Sequence, residues 1–351
     1  MQDLSTNRKE SPHLLLCFFA GLLLTGGCDS NTHFADGFRV DELYHREAFT
    51  QLQPSPADLL WVIDTSCSMV DEQEALATNF PSFIEFFIER DVPFRMGVTS
   101  TNVNEQDSDG LDGALTGSPR WLDSNVVDVE DALVERLLLG IDPDHGDERG
   151  LHSSFVAIND GLVNDANFLR PEASLVVLIV SDEPDYSTIG APDSHEFVDS
   201  ETYASWLNEL KGGQRAQLSV IVGVSELGID DPSGCLHNDF QGQPNLEHGA
   251  LRGDGYIEAA LATGGSVQSI CEGDWTSSLY RLGTTSAGLL ESFELAALPN
   301  VETIEVRVEG STSDEWSYEP ELGAVLFQAH SIPEAGDDIV ITYQEQVEAP
   351  E

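Results

Sequence analysis

The chain has 351 residues, enough for two domains, and its hydrophobic fraction of 40% suffices for a buried core. It carries 15 Lys and Arg against 63 Asp and Glu, which gives a formal net charge of −48 at pH 7. A chain this acidic repels nucleic acid and anionic lipid, so we expect no nucleic-acid partner. The charge suits cation binding, but a generally acidic solvated surface explains it more simply. Adaptation to a salty habitat would also explain it.

The N-terminus is a targeting segment. A basic pair precedes an unbroken apolar run at residues 14–24, which is too short to span a bilayer. The run closes on Leu24-Thr25-Gly26-Gly27-Cys28 and resembles a bacterial lipoprotein signal. The resemblance implies removal of residues 1–27 and lipidation of Cys28, which would anchor the protein to a membrane. An ordinary secretory signal is the alternative, and both place the protein outside the cytoplasm, in the periplasm or on the outer surface.

Residues 28–56 are mixed and polar, and we expect a tether that becomes ordered near the first domain. The apolar run at residues 59–63 then predicts a strand buried on both faces, as in a parallel sheet. It ends abruptly in Asp64-Thr65-Ser66-Cys67-Ser68, at the strand end where open α/β sheets bind ligands. One carboxylate and two hydroxyls form an oxygen-only set suited to Mg²⁺, Mn²⁺ or Ca²⁺. The alternative is a turn in which Asp64 or Ser66 only caps the next helix.

The spacing Asp-x-Ser-x-Ser after a first strand resembles the metal-ion-dependent adhesion site (MIDAS) of von Willebrand factor type A (vWA) domains. The resemblance implies that Asp64 reaches a metal ion through water, whereas Ser66 and Ser68 bind it directly. It also implies a Rossmann-like fold over residues 57–292.

Helices and strands alternate after this motif. An apolar stripe predicts a first helix, which Pro81 should kink or split; its residues are Leu76, Phe80, Phe83 and Phe87. Residues 107–113 are interpreted as a solvated turn rather than a calcium loop. The remaining predicted elements are strands at 94–99, 175–180, 218–222 and 266–270, and helices at 129–139, 151–162, 200–211, 256–262 and 275–290.

The strand at residues 175–180 also ends in an acid, Asp182. In vWA domains such a strand ends in an Asp that completes the metal site, and Asp182 matches that position. Two buried parallel strands that each end in a carboxylate favour a metal site over two helix caps. The Thr ligand of the family has no counterpart at residues 146–150, where Asp147 or Glu148 would supply an oxygen instead. A second carboxylate favours Ca²⁺ and weakens the attraction of the ion for a partner's acid.

This alternation predicts a doubly wound α/β domain with a mostly parallel sheet over residues 57–292. From residue 293 the apolar period changes to that of strands, which predicts a small all-β domain at residues 293–348. That domain carries no chemical constellation, and we interpret it as a packing or spacer module.

Of the five cysteines, Cys17 would be removed with the signal and Cys28 would carry lipid. In an oxidising compartment, Cys235 and Cys271 form the simplest disulfide because they flank the same late segment. Cys67 is then unpaired, and we expect it to be buried beside the metal loop.

We therefore predict a lipid-anchored, extracytoplasmic binding protein in which a divalent cation, Mg²⁺ or Ca²⁺, organises a surface for an unidentified protein partner. The predicted ligands are Asp64, Ser66, Ser68 and Asp182, with Asp147 or Glu148 nearby. The alternatives are a structural component of the cell envelope and a metal-dependent hydrolase. We expect no enzymatic activity, because the serines lack a Gly-x-Ser-x-Gly elbow and Asp64 lacks a second Asp two residues on.

Overall fold

The computed structural model describes residues 43–103, 111, 113–142, 148–161, 168–187, 199–212, 215–235, 237–238, 244–245, 249–320 and 322–346. The predictions for the signal at 1–27, for Cys28 and for Asp147 lie outside these residues, as does most of the turn at 107–113. Among the helices that the structure describes, none has the length and apolar character needed to cross a membrane.

The strands fall into a central α/β region and a smaller β region. In chain order they are β1 (Tyr44–Thr50), β2 (Ala57–Ile63), β3 (Phe94–Ser100), β4 (Trp121–Asp123), β5 (Ser174–Ser181), β6 (Ala216–Val222), β7 (His237–Asn238), β8 (Pro244–Asn245), β9 (Val267–Ser269), β10 (Ser292–Glu294), β11 (Glu305–Val308), β12 (Ser311–Ser313), β13 (Trp316–Glu319), β14 (Ala324–Phe327) and β15 (Asp338–Gln344). The α-helices are α1 (Val70–Glu89), α2 (Val129–Leu137), α3 (Gly150–Val156), α4 (Ser200–Leu210), α5 (Tyr256–Ala262) and α6 (Thr276–Ser286).

The central sheet has six strands in the order β4-β3-β2-β5-β6-β9. All pairings are parallel except that of β3 with β4, which confirms the predicted doubly wound, mostly parallel α/β region. The chain leaves β2 towards β3 on one side and later returns to β5 on the other. This reversal creates a switch point at the carboxyl ends of β2 and β5, where such sheets place their ligand sites.

Both faces of the central sheet are buried, and every residue of β2 is inaccessible to solvent. Leu59, Trp61 and Ile63 pack with α1, α2 and α6 on one face. Leu60 and Val62 pack with α3, α4 and α5 on the other. The unbroken apolar run therefore reflects a strand with no solvent side, as the sequence predicted.

Helix α1 is a single helix of 20 residues, so of the two outcomes predicted for Pro81, a kink or a split, the split is wrong. The four apolar residues of its stripe are buried as predicted. Phe80 and Phe83 lie 5.9 and 5.1 Å from the Trp61 ring, and this packing outweighs the backbone hydrogen bond that Pro81 cannot make. Helix α6 approaches α1 closely at Gly283, where a Cβ atom would lie 2.1 Å from the Phe83 carbonyl oxygen.

The sequence missed β1, which lies within the predicted tether. Strand β1 pairs antiparallel with β15, from Tyr44 opposite Gln344 to Thr50 opposite Asp338. The tether prediction at residues 28–56 is thus wrong for this segment. Its inward-facing residues include His45 and Glu47, so it lacks the apolar alternation by which strands are recognised. The short strands β4, β7 and β8 were missed as well.

The β region consists of two antiparallel sheets, β1-β15-β11-β12 and β10-β14-β13, which confirms the predicted small β part. They enclose a core that includes Val306, Val325 and Phe327. Because β1 precedes β2 in the chain, the α/β region is inserted into the β region. Buried Gln51 joins the two ends of the insertion: its amide donates to the Leu290 carbonyl (2.7 Å) and accepts from the Leu290 N–H (2.9 Å).

The predicted disulfide between Cys235 and Cys271 is present, with the Cα atoms 6.2 Å apart. It connects the segment after β6 to the residues that follow β9. The cross-link closes a loop with a sequence separation of 36 residues and so restricts the unfolded chain.

Replacing Cys235 and Cys271 together by Ala should lower the free energy of unfolding by about 3 to 4 kcal/mol, because the unfolded chain regains the entropy of an open loop. Denaturant unfolding of the oxidised parent and the double variant measures this difference. Cys67→Ala is the matched control and should change the free energy of unfolding by less than about 1 kcal/mol. A double variant as stable as the parent would contradict the expected contribution.

Candidate metal site

The two predicted aspartates lie side by side at the switch point of the sheet. Asp64 directly follows β2, and its N–H donates to the carbonyl of Val180 in β5 (2.9 Å). Asp182 is the first residue after β5. Asp64 is fully buried and Asp182 is 3% exposed. The parallel register therefore brings together two acids that are 118 positions apart in sequence.

The Asp64 carboxylate is fixed by hydrogen bonds from the loop after β2 and from the end of β5. Its Oδ1 accepts from the N–H of Ser66 (2.7 Å), and its Oδ2 accepts from the hydroxyl of Ser181 (2.6 Å). The hydroxyls of Ser66 and Ser68 lie 3.1 Å apart, and the Ser68 hydroxyl also donates to Asp182. The four ligands predicted from sequence thus form one continuous cluster.

Two loop contacts hold the Asp64 segment in place. Buried Gln73 in α1 donates to the Asp64 carbonyl (2.9 Å), and its amide oxygen accepts from the N–H of Gly140 (3.1 Å). The N–H of Asp142 donates to the carbonyl of Thr65 (2.9 Å). The loop after α2 therefore rests on the motif and restrains it.

Glu148 joins the same cluster from the loop before α3. It is 4% exposed, and its carboxyl group hydrogen-bonds that of Glu183 and experiences the charge of Asp64. The N–H of Tyr186 donates to the Glu148 carbonyl (2.7 Å). Of the two acids proposed to replace the family Thr, Glu148 is thus at the site, whereas Asp147 is not among the described residues.

Sequence reasoning missed several residues that build the site. Ser181 and Gln73 orient Asp64, and Glu183 hydrogen-bonds Glu148. Asp185 accepts from the Leu151 N–H at the start of α3 (3.2 Å) and from the hydroxyl of Tyr256. The acidic run after β5 was visible in the sequence, but it does not show which carboxylate turns towards which loop.

Cys67 is exposed, and the expectation that it is buried beside the metal loop is wrong. Ser66 and Ser68 turn into the cluster, and the residue between them turns to solvent. The two predicted serine ligands therefore leave the intervening thiol on the outer side of the loop.

Burial and like charge raise the pKa values of the clustered acids. Burial raises the pKa of Asp64 to about 6, although Ser181 and Ser66 stabilise its charged form. Burial, followed by the charge of Asp64, raises the pKa of Asp182 to about 7. Burial, Asp64 and Glu183 hold the pKa of Glu148 well above its usual range. The cluster therefore disfavours the charged forms of its own acids.

A second buried aspartate, at the opposite end of β2, provides an internal comparison. Asp58 is fully buried, and its two carboxylate oxygens accept from the N–H (2.6 Å) and the Nε (2.8 Å) of Arg170. Lys211 lies 3.8 Å from the same carboxylate. Asp58, near the start of β2, thus has basic partners. Asp64, which follows the end of β2, interacts with hydroxyls, a backbone amide and Glu183.

The residues fit a hard divalent cation. Asp182 Oδ1 is buried and has no hydrogen-bond partner among the residues that the structure describes, so one carboxylate oxygen of the cluster is unsatisfied there. Carboxylates and hydroxyls are the ligands that Mg²⁺ and Ca²⁺ prefer. Among the described residues, no three acidic, His or Cys side chains are already arranged as a metal centre. The fit accordingly rests on two Asp carboxylates and two Ser hydroxyls, with Glu148 beside them.

Comparisons with known proteins show likenesses in structure. Neither a family model nor a curated protein sequence matches this chain. BatB from Bacteroides thetaiotaomicron is 10% identical, with a TM-score of 0.36, over 66% of this chain and 98% of that one. A von Willebrand factor type A protein from Catenulispora acidiphila is 12% identical, with a TM-score of 0.35, over 87% of this chain and 66% of that one.

Proximal thread matrix protein 1 from the mussel byssus is 14% identical, with a TM-score of 0.36, over 69% of this chain. The matched region spans 48% of the mussel protein. At these identities and TM-scores the likenesses carry no argument about function.

The raised pKa values of Asp64 and Asp182 predict a pH dependence for the cation-free protein. The folded state holds these protons more tightly than the unfolded chain, in which carboxyl groups titrate near pH 4. The free energy of unfolding should therefore fall as pH rises from about 4 through about 6 and 7. Asp182→Asn should reduce the difference in melting temperature between pH 5 and pH 8, measured in chelator at constant ionic strength.

Glu74→Gln is the control for this measurement because Glu74 is an exposed acid of α1. It should leave the difference between the two pH values unchanged. Identical pH dependence in the parent and Asp182→Asn would show that Asp182 keeps an ordinary pKa in the folded protein.

Proposed function

We propose that this chain is a vWA-type binding protein of the cell envelope in which a divalent cation, Mg²⁺ or Ca²⁺, organises a protein-binding surface. One observation carries the proposal: Asp64, Ser66, Ser68 and Asp182 converge at the switch point of the sheet, where a buried oxygen of Asp182 has no partner within the described part of the chain. The Asp-x-Ser-x-Ser spacing and the Asp after the neighbouring strand support the vWA assignment.

A cation has an electrostatic role to fill at this position. Asp64, Asp182 and Glu148 are buried together, and the charge of Asp64 raises the cost of ionising the other two. Such a cluster costs several kcal/mol when it is fully ionised without a counter-charge. At the other end of β2, Arg170 and Lys211 provide that counter-charge for Asp58. The comparison with Asp58 supports a bound cation as the counter-charge of Asp64.

Each group of the chain then has a definite role. Asp64 is oriented by Ser66 and Ser181, so its carboxylate is preorganised for the ion. Ser66 and Ser68 offer neutral hydroxyl oxygens, and Asp182 offers its buried Oδ1. A bound divalent ion would supply positive charge at the sheet edge and attract oxygen ligands of a partner. The chain itself supplies binding and orientation, and the proposal includes no enzymatic step.

The proposed location follows from the N-terminal sequence and agrees with the cysteine chemistry. The apolar run that closes on Cys28 supports a lipid-anchored, extracytoplasmic protein. The Cys235–Cys271 disulfide suits an oxidising compartment. The partner is proposed to be a protein, because the net charge of −48 opposes binding to nucleic acid.

Adding millimolar Mg²⁺ or Ca²⁺ to chelated protein should raise the melting temperature, because an ion that binds only the folded state stabilises it. The gain is about 2.7 kcal/mol when the free ion is at 100 times its dissociation constant. The double variant Asp64→Ala, Asp182→Ala should lose this gain. Thermal unfolding at constant monovalent salt measures the shift, since a charge of −48 responds to screening alone.

Asp71→Ala with Glu74→Ala removes two exposed acids of α1 and serves as the matched control, which should keep the full gain. Capture of envelope proteins by the parent, with and without chelator, tests the binding role directly. If calorimetry detects no saturable cation binding by the folded parent, the metal site does not exist. The chain would then be a structural component of the envelope.

Cys28→Ser tests the proposed anchor, because a thioether link to lipid requires the sulfur. The variant should leave the membrane fraction or accumulate as the unprocessed chain, as seen by fractionation and intact-mass analysis. Cys67→Ser should remain in the membrane fraction. Normal cleavage and membrane retention of Cys28→Ser would contradict the lipoprotein proposal.

A further inference from the structure

Glu148 is an acid whose surroundings at the site are themselves acidic. Its side chain is 4% exposed, and its carboxyl group hydrogen-bonds the half-buried Glu183. The other charge that acts on it most strongly is Asp64. Glu148 and Glu183 therefore add two carboxyl groups to the two of Asp64 and Asp182.

The backbone keeps Glu148 at this position. Its carbonyl accepts from the Tyr186 N–H (2.7 Å), and two residues later the Gly150 N–H donates to the hydroxyl of Tyr256 (2.9 Å). The Tyr256 side chain is fully buried, and its hydroxyl donates to Asp185. Asp185 in turn accepts from the Leu151 N–H (3.2 Å). The loop of Glu148 is thus cross-linked to the loop after β5.

These cross-links mean that the loop backbone at Glu148 cannot move away from the cluster without breaking several buried hydrogen bonds. A buried unsatisfied group costs about 1 to 3 kcal/mol, so this position of the loop is favoured. Gly150 is also tightly enclosed, since a Cβ atom there would lie 2.7 Å from the Tyr256 hydroxyl oxygen. The backbone therefore presents Glu148 at the edge of the cluster.

The number of carboxyl groups discriminates between cations. Ca²⁺ accepts six to eight oxygen ligands and takes carboxylates readily, whereas Mg²⁺ demands an octahedral shell, keeps several waters and is usually held by one or two carboxylates. Four carboxyl groups lie at the site or beside it, together with the hydroxyls of Ser66 and Ser68, although no three of the described acids are prearranged as a metal centre. The surroundings are thus richer in carboxyl oxygens than a magnesium site requires.

We propose that Glu148, together with Glu183, makes this site selective for Ca²⁺ over Mg²⁺ by completing the coordination of the ion from within the chain. This inference rests on the proposed cation site and specifies its ion. The independent observation that a ligand belongs here concerns Asp182, which is 3% exposed and whose Oδ1 has no hydrogen-bond partner among the described residues. With Glu148 present, the ion has less need of a carboxylate from a partner.

Isothermal titration of the full-length, chelator-treated protein with CaCl₂ and separately with MgCl₂, at constant monovalent salt, tests the selectivity. The parent should bind Ca²⁺ at least about tenfold more tightly than Mg²⁺. Glu148→Gln keeps the size of the side chain and removes its charge. It should weaken Ca²⁺ binding by about tenfold or more and Mg²⁺ binding by much less, so that the ratio of the two affinities falls. Glu74→Gln should leave both affinities unchanged.

Glu183→Gln is the second variant, and the partial exposure of Glu183 makes this change easier for the fold to tolerate. It should lower the same affinity ratio by a smaller factor. An unchanged ratio in Glu183→Gln and a folded Glu148→Gln, or equal affinities of the parent for both ions, overturns the selectivity and leaves the proposed site intact. If the parent binds neither ion, the proposed function fails and this inference fails with it.

Discussion

The parallel pairing of β2 with β5 is the constraint on which the rest of the structure depends. It pairs Ile63 with Val180, so that the N–H of Asp64 donates to the Val180 carbonyl. Asp64 therefore lies next to Ser181 and Asp182. Two buried faces hold both strands in this register, because a slip of one residue would exchange the side chains between the two cores. The apolar packing of the sheet therefore determines the spacing of the acids at its edge.

The two ends of β2 show how the protein treats buried charge. At the start of the strand, Arg170 closes on Asp58 with two hydrogen bonds, and the charge is satisfied within the chain. At the end of the strand, Asp64 is surrounded by hydroxyls and other acids, and burial raises the pKa values of Asp64 and Asp182. The first arrangement has its counter-charge within the chain, although burial still raises the pKa of Asp58. The second is incomplete, and incomplete buried electrostatics are typical of sites that act on something outside the chain.

Most of the central sheet could be predicted from sequence, because β2 and β5 are unbroken apolar runs and each ends in an acid. The ligand set could be proposed for the same reason, since parallel strands end at one edge. Strand β1 could not be recognised, because its inner face carries His45 and Glu47 beside Phe49. The roles of Glu183 and Tyr256 depend on contacts between distant loops, which no local spacing encodes. The exposure of Cys67 likewise depends on which way a single turn faces.

The insertion of the α/β region between β1 and the rest of the β region has a mechanical consequence. The inserted region begins after β1 and ends before β10. Gln51 connects these two points through its two hydrogen bonds with Leu290. Tension between the N-terminal end and the C-terminal end of the chain would load β1 against β15, two adjacent antiparallel strands, rather than the central sheet. The site at the carboxyl edge of β2 and β5 would thus keep its geometry while the ends of the molecule are pulled apart.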